Sequence, residues 1–147
     1  MNIFSAMEII SSGLSAQRTR LNLVASNLAN AQTTRTEEGG PYRRKDPVFQ
    51  SQPISNQFSE LLGDRLAEQA HGVQVTQIVT DQTPPQQVYD PSHPDADANG
   101  FVAYPNINVT EEMVNMIMAS RAYDAGATAM KAMGRVGRAA LGIGGNI

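Results

Sequence analysis

Cysteine is absent from this 147-residue chain. That excludes disulfide bridges, a thiol nucleophile and thiolate-held metal, and it leaves the redox environment open. Tryptophan is absent too, and four tyrosines and four phenylalanines are the whole aromatic complement, so large rings contribute little to any core. No run approaches the ~18 consecutive apolar residues of a membrane span, so direct membrane insertion is not expected. Residues 1–31 have neither a basic leader nor a continuous apolar stretch, and a cleaved secretory signal is not expected. A cationic excess is also lacking, the formal net charge being −3. Residues 1–31 carry two basic and one acidic side chain, residues 32–108 five and ten, and residues 109–147 four and three. Nucleic acid is bound largely through phosphate neutralisation by Lys and Arg, so an acidic middle excludes it as a partner.

What the chain does have is apolar residues crowded into its two ends. In residues 1–31 the positions Ile3, Met7, Ile10, Leu14, Gln17, Leu21, Val24, Leu28 and Ala31 step by four and three throughout, and all but Gln17 are apolar. That spacing is a 3.5-residue repeat, which lays one narrow apolar seam along a helix and suits coiled-coil packing. Residues 109–147 repeat the design with Val109, Met113, Met116, Ser120, Tyr123, Ala127, Met130, Gly134, Gly137 and Leu141. Asn108 followed by Glu111 outlines a capping box, and Glu111 and Glu112 suit the positive end of the helix dipole.

Gly13, Gly126, Gly134 and Gly137 each cost about 1 kcal/mol relative to Ala in a helix, so packing partners must supply stability. The small residues Ala125, Gly126, Ala127, Ala129, Ala132 and Gly134 also allow another backbone to come close. A helical hairpin whose seams cover each other is one part of the reading. With only a small middle domain between two such helices, apolar faces stay uncovered, which marks an interaction surface. A helix lying on a membrane is the rival use, but the polar faces carry few Lys and Arg for it.

The fold expected is therefore mainly α, with a small β-containing middle domain and long N- and C-terminal helices forming a coiled-coil-like bundle. Its parts are residues 1–31, 32–108 and 109–147. Residues 32–45 are polar and glycine-rich and end the first helix near residues 30–33, with a turn at Gly39-Gly40-Pro41. Short strand signals lie at Tyr42–Phe49, Val73–Val79, Gln87–Tyr89 and Phe101–Tyr104. Within residues 51–70, Phe58, Leu61, Leu62 and Leu66 fit either one helical face or a flexible insertion.

Asp95, Asp97, Asn99 and Gly100 match the opening of an EF-hand loop, but the twelfth position, where the bidentate Glu belongs, is Asn106. An ordinary Asp/Asn/Gly turn is expected there, and no metal. His71 and His93 sit among polar residues and read as surface loop positions. No nucleophile with a base, no pocketed carboxylate pair and no glycine-rich phosphate loop is apparent, so no catalytic residue and no cofactor are expected.

The stretch Leu23-Val24-Ala25-Ser26-Asn27-Leu28-Ala29-Asn30-Ala31 is similar to the signature near the N-terminus of flagellar rod and hook proteins. Residues Thr33–Lys45 resemble the proximal-rod members of that family, as do Tyr89–Pro94, Asn108–Ile117 and Ala119–Tyr123. The continuation Asp124-Ala125-Gly126 and the glycine-rich tail at residues 142–147 depart from the pattern and leave open how far the last helix runs.

The resemblance implies a structural subunit of the proximal rod, not an enzyme, built into the basal body where the rod crosses the periplasm. It implies terminal helices that bundle with those of neighbours around a central export channel and transmit torque. It also implies passage, unfolded, through the flagellar type III export apparatus. The partners implied are copies of the chain, other rod subunits, and membrane-ring and rod-junction proteins. The candidate assembly residues are Ile3, Met7, Ile10, Leu14, Leu21, Val24, Leu28, Met113, Met116, Tyr123 and Met130. Another axial component, in the distal rod or hook, is the nearest alternative, and a secreted effector is the alternative of a different class.

Overall fold

A computed structural model describes residues 3–54 and 71–144. The expectation for Phe58, Leu61, Leu62 and Leu66 lies outside the described residues. Helix α1 spans Ile3–Ala29, strands β1 to β4 span Lys45–Pro53, His71–Thr80, Gln86–Tyr89 and Phe101–Tyr104, and helix α2 spans Val109–Gly144. Two helices flanking a small β region are what the sequence pattern called for. β1 begins three residues later than Tyr42 because Tyr42 still belongs to the turn, its N–H donating to the Thr33 carbonyl at 3.0 Å.

The ends of the helices have local causes. Asn30 closes α1: its N–H and its Nδ2 both donate to the Ser26 carbonyl, at 3.1 and 2.9 Å. Asn108 opens α2, its Oδ1 accepting from the N–H groups of Thr110 and Glu111 at 3.1 and 3.3 Å, which satisfies two of the donors a helix start leaves unpaired. α2 then continues without a break to Gly144, past the glycines that left its length open.

The chain divides into two compact units, each drawing on both helices. The first comprises residues 1–19, 49–76 and 119–147. Its buried side chains are Ser5, Ala16, Ile54 and Ala119. Here α1 and α2 run antiparallel and close: a Cβ placed at Gly126 would lie 3.0 Å from Leu14 Cδ2, and one at Gly137 would lie 3.5 Å from Ile3 Cδ1. At Gly126 the missing side chain makes room for α1, whereas at Gly137 a Cβ would make only ordinary contact. Ser12 ties β2 to α1, its Oγ accepting from Val73 N–H at 3.1 Å and donating to the Ile9 carbonyl at 2.8 Å.

The second unit comprises residues 20–48 and 77–118. Val24, Val102, Pro105 and Ile107 are its buried apolar residues, with Asn27 and Glu112 buried beside them. β3 and β4 pair antiparallel in the register Gln86↔Tyr104 to Tyr89↔Phe101. At the end of this ladder the rings of Tyr89 and Phe101 meet edge to face, 5.4 Å between centroids, a cross-strand pair of the kind that stabilises hairpins.

The connection, residues 90–100, is a series of Asx turns. Asp97 Oδ1 accepts from the N–H groups of Asn99 and Phe101, so this carboxylate holds a turn. No His/Cys/Asp/Glu cluster able to hold a metal is found among the described residues. His93 is less a surface residue than its neighbours suggest: it is half-buried, its Nδ1 accepts from Asp95 N–H at 3.1 Å, and its ring meets Tyr104.

Candidate assembly surfaces and the buried polar cluster

Three stretches that look unrelated in sequence converge in the second unit. Asn27 of α1 has no solvent exposure, and each of its amide hydrogen-bonding sites is used. Its Nδ2 donates to the Lys45 carbonyl at 2.9 Å and to Glu112 Oε2 at 3.0 Å. Its Oδ1 accepts from Lys45 N–H at 2.9 Å and from Tyr42 OH at 3.1 Å. Asn27 thus pairs with the backbone of Lys45 as a neighbouring strand would, and docks the start of β1 onto α1. Tyr42 OH also shares a hydrogen bond with Ser26 Oγ.

Glu112, in the first turn of α2, is 1% exposed. Its Oε1 accepts from Arg44 Nε at 2.8 Å, and Arg44 also pairs with Asp46. Burial alone would lower the Arg44 pKa, but the hydrogen bond it donates to Glu112 and the charges of Asp46 and Glu112 outweigh it and hold the guanidinium above its ordinary value. A buried carboxylate is tolerable when paired and hydrogen-bonded, and Glu112 is both. Sequence reasoning placed Glu112 only on the helix dipole. No local pattern signals its pairing with Arg44, which lies 68 residues away in the chain.

The family-motif residues sort by role. Ala25 and Ala29 face out, Leu28 is half-buried, and Ser26, Asn27 and Asn30 hold the end of α1 and its contacts. Among the candidate assembly residues, Val24 is buried within its own unit, while Ile3, Met7, Ile10, Leu14, Leu21, Met116, Tyr123 and Met130 are half-buried. Met113 is different. With Val114, Ile117 and Met118 it forms an apolar face on α2 whose members are 52, 50, 54 and 57% exposed. The side of α2 turned inward instead carries Glu112 and Ala119, with Asn115 accepting from Arg20 Nη2 at 3.3 Å.

No helix among the described residues is long and apolar enough to cross a membrane. The second unit thus sets a hydrogen-bonded polar cluster beside an apolar helix face that the subunit leaves exposed. The family described as flagella basal body rod protein matches residues 7–35, and that described as flagellar basal body rod FlgEFG protein C-terminal matches residues 98–143. The flagellar basal-body rod protein FlgC of Borreliella burgdorferi is 41% identical over 97% of this chain and 98% of its own length. The chain belongs to the FlgC family of flagellar basal-body rod proteins.

FlgC of Bacillus subtilis is 40% identical over 90% of this chain, and that of Salmonella typhimurium 42% over 85%. As a FlgC-family rod protein the chain is a structural subunit and not an enzyme. It assembles with other components of the basal-body rod. The buried cluster consequently reads as the frame of a subunit, holding α1, β1 and the start of α2 in one arrangement.

Proposed function

We propose that this FlgC-family subunit polymerises through α1 and α2 into the proximal rod, bundling with the helices of its neighbours around the export channel and carrying torque along the shaft. Its neighbours in this reading are copies of itself, other rod subunits, and the membrane-ring and rod-junction proteins. The observation that carries the proposal is the Met113, Val114, Ile117 and Met118 face, four large apolar side chains each at least half exposed. Exposed contiguous apolar surface of this kind is covered in the functional state.

Delivery is by the flagellar type III apparatus, across which the chain passes unfolded. Besides Pro105, only six apolar side chains are buried among the described residues, so little packing has to be undone. Apart from the buried Val24, the other members of the candidate interface, Ile3, Met7, Ile10, Leu14, Leu21 and Leu28 on α1 and Met116, Tyr123 and Met130 on α2, form the half-buried margins of the helix seams, where a neighbour adds coiled-coil-like contacts.

Basal bodies isolated from a strain lacking the gene and imaged by electron microscopy test this reading. The expected result is a membrane ring with no rod beyond it, restored by a plasmid copy. Complete rods in the deletion strain would reject it.

A further inference from the structure

The fold already uses most of its carboxylates among the described residues. Asp46 and Glu112 hold Arg44. Asp81 and Asp90 cap the turns at Thr83 and Ser92, Asp97 caps its own turn, and Asp95 takes Thr34 and Arg35. Glu37 and Glu38 take no part in these contacts and form an adjacent, exposed pair, in no ion pair among the described residues. The turn that presents them is shaped. Thr36 N–H donates to the Gly40 carbonyl at 2.9 Å, Gly39 N–H to the Thr36 carbonyl at 3.0 Å, and Thr36 Oγ1 to the Gly40 carbonyl at 3.2 Å. Gly39 and Gly40, at φ of 89° and 76°, close it in a conformation that other residues disfavour. A preorganised tip loses little freedom on docking.

The complementary surface is on α2, in the other compact unit. Lys131, Arg135 and Arg138 lie at i, i+4 and i+7 on one exposed stripe, and none is in an ion pair among the described residues. They line a groove with Met7, Met130 and Gly134. Nothing lies within 4 Å of a Cβ placed at Gly134, so the groove is open there. An open apolar floor rimmed by three unused cations suits a compact acidic turn.

We propose that the Lys131–Arg135–Arg138 groove of one subunit receives the Glu37–Glu38 turn of a second copy. The inference rests on the reading of the chain as a polymerising subunit and names one of its contacts. Because the two patches are different surfaces, the contact is heterologous and leaves a free tip and a free groove on every pair, as a growing helical array requires. Charge complementarity of this kind sets register and encounter rate, and salt screens it.

The chain has no cysteine, so introduced thiols report cleanly. Cells expressing Glu38→Cys and Arg135→Cys chains together should yield rods in which oxidation joins two copies of the chain, while either variant alone gives no such product. In parallel, Glu37→Lys with Glu38→Lys, or Lys131→Glu with Arg135→Glu, should lower incorporation into rods by about tenfold or more, and one chain carrying all four reversals should regain it. Rods that contain the subunit but give no cross-link between copies, or a cross-link to a different rod protein, would overturn the proposal while leaving the rod assignment standing. Failure of the fourfold variant to recover, with its circular dichroism unchanged, would overturn it as well. Absence of the unmodified chain from rods would instead reject the function on which it rests.

Discussion

Glu112 and Asn27 show how a few polar atoms decide which parts of the chain meet. Both are buried, and between them they hold Arg44, Tyr42 and the backbone of Lys45. Glu112→Ala removes the carboxylate and leaves Arg44 and Asn27 short of a partner, a loss of about 3 kcal/mol that urea unfolding would measure. Replacing both charges, as in Glu112→Leu with Arg44→Met, should recover part of it, because the desolvation cost of the pair disappears with the pair. Asp90 gives a pH prediction. Hydrogen bonds from the Ser92 hydroxyl and N–H hold its carboxyl below the ordinary range. The turn is therefore fully held above the unfolded-state pKa and loosens as pH falls through the lower folded value, which carboxyl NMR titration would follow. The identity of Asn27 as a family-motif residue was legible in the sequence. Its role was not, because its partners are a backbone 18 residues away and a carboxylate 85 residues away.

Elements were read more securely than the faces they present. The 3.5-residue spacing implies a seam on each helix but does not say which of two adjacent stripes turns inward. On α2, Glu112, Ala119 and Gly126 face the subunit's own structure, and the larger Met113, Val114, Ile117 and Met118 face out. At Gly126 the reason is steric, since its missing side chain permits the close approach of Leu14, whereas Glu112 turns inward to meet Arg44 and Asn27. Gly126→Val should therefore be worse than Gly126→Ala, despite a helix propensity that favours both over Gly, and thermal unfolding of the two variants would rank them. Asn108→Ala should cost about 1 kcal/mol through the lost cap. Strands β3 and β4 lay close to where their β-branched and aromatic residues pointed, and Gly100 shows why their connection needs glycine. At φ 81° a new Cβ would also lie 2.9 Å from the Tyr89 ring, so Gly100→Ala should unfold at lower urea than the parent.

For the whole molecule, what stands out is how little is buried: besides Pro105, Ala16, Val24, Ile54, Val102, Ile107 and Ala119 are the buried apolar side chains among the described residues. Burial near 25 cal/mol per Å² gives such a core only modest stability, so the free subunit should unfold at low denaturant and be stabilised by its neighbours. That much follows from composition, since apolar residues concentrated at the ends leave the middle a small core. Membership in the rod family was legible because the motif stretches do structural work: Ala25–Asn30, Tyr42–Lys45 and Asn108–Glu112 meet in one cluster. On the proposed function, the outward face of α2 is an assembly surface. Its most direct test is the variant Met113→Asp with Ile117→Asp, expressed in place of the parent chain and scored by electron microscopy of basal bodies. Both positions are more than half exposed, so an unchanged circular dichroism spectrum, normal expression and no rod are expected. Normal rods built from that variant would contradict it.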